Sequence, residues 1–250
     1  MPFISKIFAA SACFLCAAIS NAALAGSLSL GAAVSAGTSE YRDTDPRALP
    51  VPLINYESER FYVRGLSAGI PLWSDGMSEL SVALSYLPQH FDASRSDDWR
   101  MKRLSNRHST AMAGVNYRLT TEWGIGRIGL AGDILDNSNG FLADAAYMYP
   151  FVEGPLTITP GVGVQWTSSN HNDYYYGVGS TESRKSGLKS YEADDGFSPY
   201  VEVSTRYNLN ANLNIFLNGR VLFLSEEIKD SPMVDKDAKA DVTLGFSYRF

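Results

Sequence analysis

From Asp241 to Phe250 the chain alternates without a break: Val242, Leu244, Phe246, Tyr248 and Phe250 on one side, Asp241, Thr243, Gly245, Ser247 and Arg249 on the other. Successive side chains of a β-strand point to opposite faces, so this stretch has one apolar and one polar face. Two folds share that period: the edge of a soluble sandwich, and the closing strand of an outer-membrane barrel with lipid on its apolar face. Similar alternation predicts strands over residues 27–38, 53–73, 80–86, 111–119, 128–134, 141–149, 156–166, 201–209 and 213–223. Within 53–73 the phase changes near Glu57 to Arg60, which fits either a β-bulge in one long strand or a tight turn between two short ones. Residues 40–52 carry five charges and three prolines and read as a loop, since proline is excluded from central strands.

Topology separates the two folds. Outer-membrane barrels have even strand numbers, short periplasmic turns and long external loops. Traced back from a periplasmic Phe250, the short turns at Asn210, Glu153, Thr120 and Ser74 all fall on the periplasmic side. The long polar stretches 225–239, 171–196 and 92–106, with a shorter one at 136–140, fall outside. The predicted fold is therefore an all-β, antiparallel transmembrane barrel of about ten strands if 53–73 is one strand, with twelve as the alternative. Tyr117, Trp123, Tyr147, Tyr149, Tyr207, Tyr248 and Phe250 cluster beside the periplasmic turns, where an interfacial aromatic girdle belongs.

Composition changes the picture in two places. The chain has 250 residues and 19% of them are charged, too many for a helical membrane protein, and no run of 18 apolar residues follows residue 26. Residues 1–25 read as a secretory signal peptide: Lys6, an apolar run from Ile7 to Ile19, and Ala23-Leu24-Ala25 before Gly26. This leaves 26–250 as one barrel domain exported to the outer membrane. Both cysteines, Cys13 and Cys16, depart with the peptide, so no disulfide or cysteine metal site is expected. Loss of Lys6 leaves 20 basic against 27 acidic side chains, a net charge of −7, which argues against nucleic acid as a partner.

Inward positions on this phasing hold Arg118, Arg127, Asp133, Asp144, Glu202, Arg206, Arg220, Asp241 and Arg249. Mixed signs along the wall predict ion pairs bracing a narrow lumen, because charges withdrawn from bulk water need partners. The other use of such residues is a selectivity ring for a small solute. Three histidines, His90, His108 and His171, lie in or beside external loops. His171 with Asp173 has the composition of a water-activating pair, although the ordinary state of a loop histidine is solvated. No spacing supports a metal site. Catalytic, cofactor-binding and metal-ligating residues are therefore all assigned as none. Tyr174-Tyr175-Tyr176-Gly177 is expected to pack over the barrel mouth, and the segment from Asp230 to Asp235 to form a proline-fixed turn; an exposed recognition surface is the alternative.

Several strings resemble the MltA-interacting protein (MipA/OmpV) family. They are Val51-Pro52-Leu53-Ile54-Asn55-Tyr56-Glu57, Leu130-Ala131-Gly132-Asp133, Leu135-Asp136-Asn137-Ser138-Asn139-Gly140 and Thr159-Pro160-Gly161-Val162-Gly163-Val164-Gln165-Trp166. Tyr174-Tyr175-Tyr176-Gly177-Val178, Phe197-Ser198-Pro199-Tyr200, Asp230-Ser231-Pro232-Met233-Val234-Asp235-Lys236 and the terminal Tyr248-Arg249-Phe250 complete the set. The resemblance covers essentially all of 26–250 in order. It implies a non-enzymatic outer-membrane scaffold, without cofactor, whose partners are a membrane-bound lytic transglycosylase (MltA) and a bifunctional penicillin-binding murein synthase. A small-solute channel is the alternative. The family offers no catalytic residues to transfer, and the short periplasmic turns sit awkwardly with a periplasmic partner.

Overall fold

The computed structural model describes residues 26–250; the expected signal peptide, 1–25, lies outside the described residues. Thirteen β-segments form one antiparallel sheet: β1 (Gly26–Gly37), β2 (Arg47–Ser58), β3 (Tyr62–Arg64), β4 (Ser67–Ser74), β5 (Ser78–Leu87), β6 (Thr110–Thr121), β7 (Gly124–Asp133), β8 (Phe141–Met148), β9 (Phe151–Glu153), β10 (Leu156–Thr167), β11 (Gly196–Asn208), β12 (Leu213–Phe223) and β13 (Ala238–Arg249). The sheet closes on itself because β13 pairs with β1 and β10 with β11. β8 and β9 pair with successive parts of β10 and occupy one wall position, so the barrel has twelve strands. Among the described residues no helix is long and apolar enough to cross a membrane; the strands do the crossing.

One alternative is decided here and one expectation is corrected. Residues 53–73 divide at a turn: they hold the end of β2, all of β3 and most of β4, which selects the twelve-strand alternative over ten. Adding two strands keeps the number even, so both chain ends stay on the short-turn side. Residues 47–52, expected in a loop, are strand, paired with β1 from Gly37↔Arg47 onward. The prolines are tolerated because of where their nitrogens point. Ile54 gives its carbonyl to Gly65 N (3.1 Å), so residue 54 turns its backbone groups away from β1. Alternation makes Pro52 and Pro50 do the same. Their missing N–H groups face an edge where nothing in the sheet pairs with them, as β3 pairs only with Asn55, Tyr56 and Glu57.

The wall has the alternation that its sequence predicts. Outward-facing Val34, Leu84, Val115, Val162, Leu217 and Leu244 are 44–57% exposed. Acyl chains, not water, cover such a surface. At the other end of the barrel the long loops fold over the mouth and build the dry cluster of the molecule, containing Tyr41, Phe91, Met101, Tyr175, Tyr176 and Met233. Two helices within residues 168–195, α1 (Ser169–Tyr176) and α2 (Ser180–Ser186), and a short one, α3 (Glu226–Lys229), shape this cap.

Candidate functional site: the lumen and its two ends

The middle of the lumen is crossed by a belt of paired charges. Arg127 of β7 lies 3.2 Å from Asp144 of β8 and 3.5 Å from Glu202 of β11, and Arg220 of β12 lies 3.7 Å from Asp144. Tyr200 completes it: its hydroxyl donates to Asp144 Oδ2 (2.8 Å) and accepts from Arg127 Nη2 (3.0 Å), while the Arg220 guanidinium sits 3.6 Å from its ring centroid. A Cβ on Gly163 would collide with the Tyr200 ring, so glycine there makes room for the tyrosine. Two arginines against two carboxylates leave the belt neutral. Sequence reasoning found these four charges and missed Tyr200, whose inward direction follows from its place opposite inward Gly163.

Other nominated inward residues behave differently. Asp133 does not reach across the lumen; its carboxylate accepts from Thr110 Oγ1 and from the amides of Leu135, Ser138 and Asn139, pinning its own turn. Among the described residues, Arg118, Arg206, Asp241 and Arg249 join no ion pair.

Near the periplasmic mouth a second cluster went unseen in the sequence because its strands were misjudged. Arg64 of β3 holds Glu57 of β2 (2.7 Å) and Glu79 of β5 (2.8 Å). Its guanidinium lies 3.9 Å from the ring centroid of Tyr62, whose hydroxyl bonds Ser81 (3.0 Å). β4 carries no partner on its β3 side below Gly69, which leaves a recess of about 650 Å³ lined by Glu57, Glu59, Tyr62, Arg64, Trp73 and Glu79 among others. Trp73 and Leu72 at its rim are 53% and 61% exposed.

At the external end, the three consecutive tyrosines tie separate loops together. Tyr174 accepts from His108 N (2.9 Å), Tyr175 donates to His108 O (3.0 Å), and Tyr176 donates to Glu40 Oε1 (3.1 Å). Met233 and Val234 of the proline turn are buried against them. Packing, as expected, accounts for both segments. His171 departs from expectation: it is 1% exposed, with Nε2 3.3 Å from Gln89 Oε1 and Nδ1 without a partner. Burial lowers its pKa from 6.5 to about 4, against the pull of the Asp133 carboxylate. Asp173 is turned away and accepts from Ala193 N (3.2 Å), so the two do not form a pair.

The model of the family described as MltA-interacting protein MipA matches residues 30–250. The MltA-interacting protein of Escherichia coli K12 is 45% identical over 225 residues, covering 90% of this chain and 91% of the relative. A putative outer membrane protein of the same organism, YiaT, is 39% identical over 228 residues, covering 91% and 93%. Outer membrane protein OmpV of Vibrio cholerae is 26% identical over 150 residues, covering 60% and 58%. Among solved structures, an outer-membrane channel from Pseudomonas putida F1 is similar with a TM-score of 0.47 and 12% identity, covering 92% of this chain and 97% of that one. Family match, named outer-membrane relatives and a lipid-facing wall coincide over one stretch of sequence: this chain is an outer-membrane barrel and belongs to the MltA-interacting protein (MipA) family.

Proposed function

We propose that this protein is a non-enzymatic scaffold that holds an MltA-type lytic transglycosylase at the periplasmic end of the barrel and brings it to a bifunctional penicillin-binding murein synthase. The observation that carries this reading is 45% identity, across 90% of the chain, to a relative named for its interaction with MltA. Such a protein acts by raising the effective concentration of two enzymes for each other, which requires surfaces and no chemistry of its own. The recess between β2 and β4 supports the reading by offering what the short turns lack. It is concave, it has an exposed tryptophan, and it carries three acids against one arginine. The crossed belt, with its charges paired across β7, β8, β11 and β12, favours a brace over an open pore for a small solute.

Pull-down from detergent extracts tests the proposal. Immobilised transglycosylase is expected to retain the intact chain. Combined Glu59→Lys and Trp73→Ala substitution is expected to cut retention about tenfold or more, the scale of one lost aromatic anchor. The synthase is expected on the matrix only when the barrel is present. Failure of the unaltered protein to bind removes the scaffold. Steady single-channel current in planar bilayers, reshaped by Arg127→Ala, establishes the channel in its place.

A further inference from the structure

The wall is incomplete on one side. β3 ends at Arg64, opposite Asn55, while β2 continues for eight residues beyond that pair, back to Arg47, with no strand on its free side. On the β2 side the turn joining β3 to β4 stops eight residues short of the strand's external end, while on the β5 side it reaches Tyr86, one residue short of Leu87. Above it is a gap between β2 and the end of β5. Backbone groups left unpaired in hydrocarbon are costly. Pro50 and Pro52 lessen that cost by removing two donors from the open edge, although their carbonyls remain. Pro71 does the same below: Leu66 gives its carbonyl to Tyr86 N (2.9 Å), so alternation aims the Pro71 nitrogen at the side of β4 that β3 no longer covers.

The gap has a roof. Thr44 bridges Ser96, Asp97 N donates to Asp43 O (2.8 Å), and Arg95 Nη2 donates to Asp45 O (3.2 Å), so two external loops join above it. It also has an apolar frame. Register with inward Ser35, Ala33 and Gly31 places Leu49, Val51 and Leu53 toward the lumen, and Ala48, Pro50, Pro52 and Ile54 toward the bilayer. β2 is thus apolar on both faces at this height, whereas the inward faces of β7, β8 and β11 carry charges.

Behind the gap lies a cavity of about 470 Å³. Leu49 and Leu87 line it at the edges of the gap, Asp45 and Arg95 under the roof, and Leu142 and Leu222 on the far wall. Arg220 and Gln165, joined at 3.2 Å, form part of its floor. Leu49 and Leu87 belong to the two strands that flank the gap and also line the cavity, so the gap adjoins it.

We propose that this upper chamber binds the acyl chain of an outer-leaflet lipid, which enters sideways between β2 and β5. An acyl chain fits for three reasons. The gap lies in a wall that faces hydrocarbon, both faces of its edge strand are apolar, and leucines from β2, β5, β8 and β12 line the chamber, where Glu40, Lys239 and Asp241 leave room for a polar end. The inference is independent of the scaffold reading, which concerns the periplasmic end.

Photolabelling tests it. The full chain is reconstituted in vesicles of phosphatidylethanolamine and phosphatidylglycerol containing phosphatidylethanolamine with a diazirine near the end of one acyl chain; a parallel sample receives a free diazirine fatty acid. Peptide mapping is expected to find adducts from the phospholipid on lumen-facing Leu49, Leu87, Leu142 or Leu222. Outward Val82 and Leu84 serve as controls that the barrel is folded and inserted. Leu49→Asp with Leu87→Asp places charges in the path of the chain. It is expected to lower the lumen adducts by about tenfold or more, the effect of roughly 1.4 kcal/mol, with the Val82 and Leu84 adducts retained. Should the double variant not reach the folded band on a gel, Leu87→Trp, which narrows the gap without charge, replaces it. Lumen labelling that persists undiminished in the variant overturns the proposal. So do adducts confined to the outward face, and lumen adducts from the free acid alone.

Discussion

The barrel wall and the external cap bury opposite things. In the wall the apolar side chains point out, with Leu244 55% exposed, and the charges point in, where Arg127, Asp144, Glu202 and Arg220 neutralise one another. In the cap the apolar side chains point in, with Tyr175, Met101 and Met233 fully buried, and ion pairs such as Arg107–Glu182 (2.9 Å) lie around them. One physical rule produces both. Apolar surface leaves water wherever it can, and the wall has acyl chains as its solvent while the cap has only itself. The difference shows that the cap is held by the same packing as a small soluble domain, although it is built from loops.

Substitutions that touch one region and spare the other test that contrast. The largest expected effect is in the cap. Tyr175→Ala removes a fully buried ring that packs 4.9 Å from His171 and 4.8 Å from Tyr174, and it orphans the His108 carbonyl. A loss of about 3–5 kcal/mol is expected. Protease should then cut the external loops of intact cells, while the barrel keeps its heat-modifiable mobility on gels. Cutting of the barrel strands as well would show that the wall depends on the cap.

Next is the wall. Val115→Arg puts a charge on the lipid face near the middle of β6, where about 2–4 kcal/mol is expected at the bilayer midplane. Urea unfolding from lipid vesicles should record that loss, and the fraction that folds should keep protease-resistant loops. A soluble, monomeric variant would contradict the assignment of this face to lipid.

Acid is expected to act last, because only part of its effect develops above pH 4. His171 is held neutral by burial, with a folded-state pKa of about 4 against the ordinary 6.5. Between those values the unfolded cap binds a proton that the folded cap refuses, so cap stability falls as pH drops from 6.5 to 4 and is flat above. The full loss is on the order of 3 kcal/mol. Loop proteolysis across this range should accelerate toward low pH, and His171→Leu should flatten the profile. An equally steep profile in that variant would assign the effect to another group.

Legibility in the sequence follows the range of the forces involved. The terminal strand, the six segments from Ala111 to Phe223 and the periplasmic aromatics were readable because alternation is a property of neighbours in the chain. The belt was readable for the same reason, as inward positions follow from phase. Residues 47–52 were misread as loop, and the division of 53–73 was left open. Three prolines in 40–52 argued for a loop, and only the short β3 beside them, which leaves their nitrogens without a partner to miss, makes strand possible. With that region misjudged, the Arg64 cluster, the periplasmic recess and the lateral gap all stayed hidden. His171 was expected in water because its loop is polar in composition; its burial depends on Gln89, Gly140 and Tyr175, each from a different stretch or turn of the helix.

By itself the sequence determined a lipid-facing cylinder with its ends in the periplasm and its long loops outside, because period and turn length are local and add up along the chain. Only the tertiary structure decided that there are twelve strands, that the loops close into a packed cap, and that the wall is open beside β2. Those outcomes depend on which edge meets which and on what each edge leaves unpaired, and hydrogen-bond partners across a sheet are chosen by residues far apart in sequence.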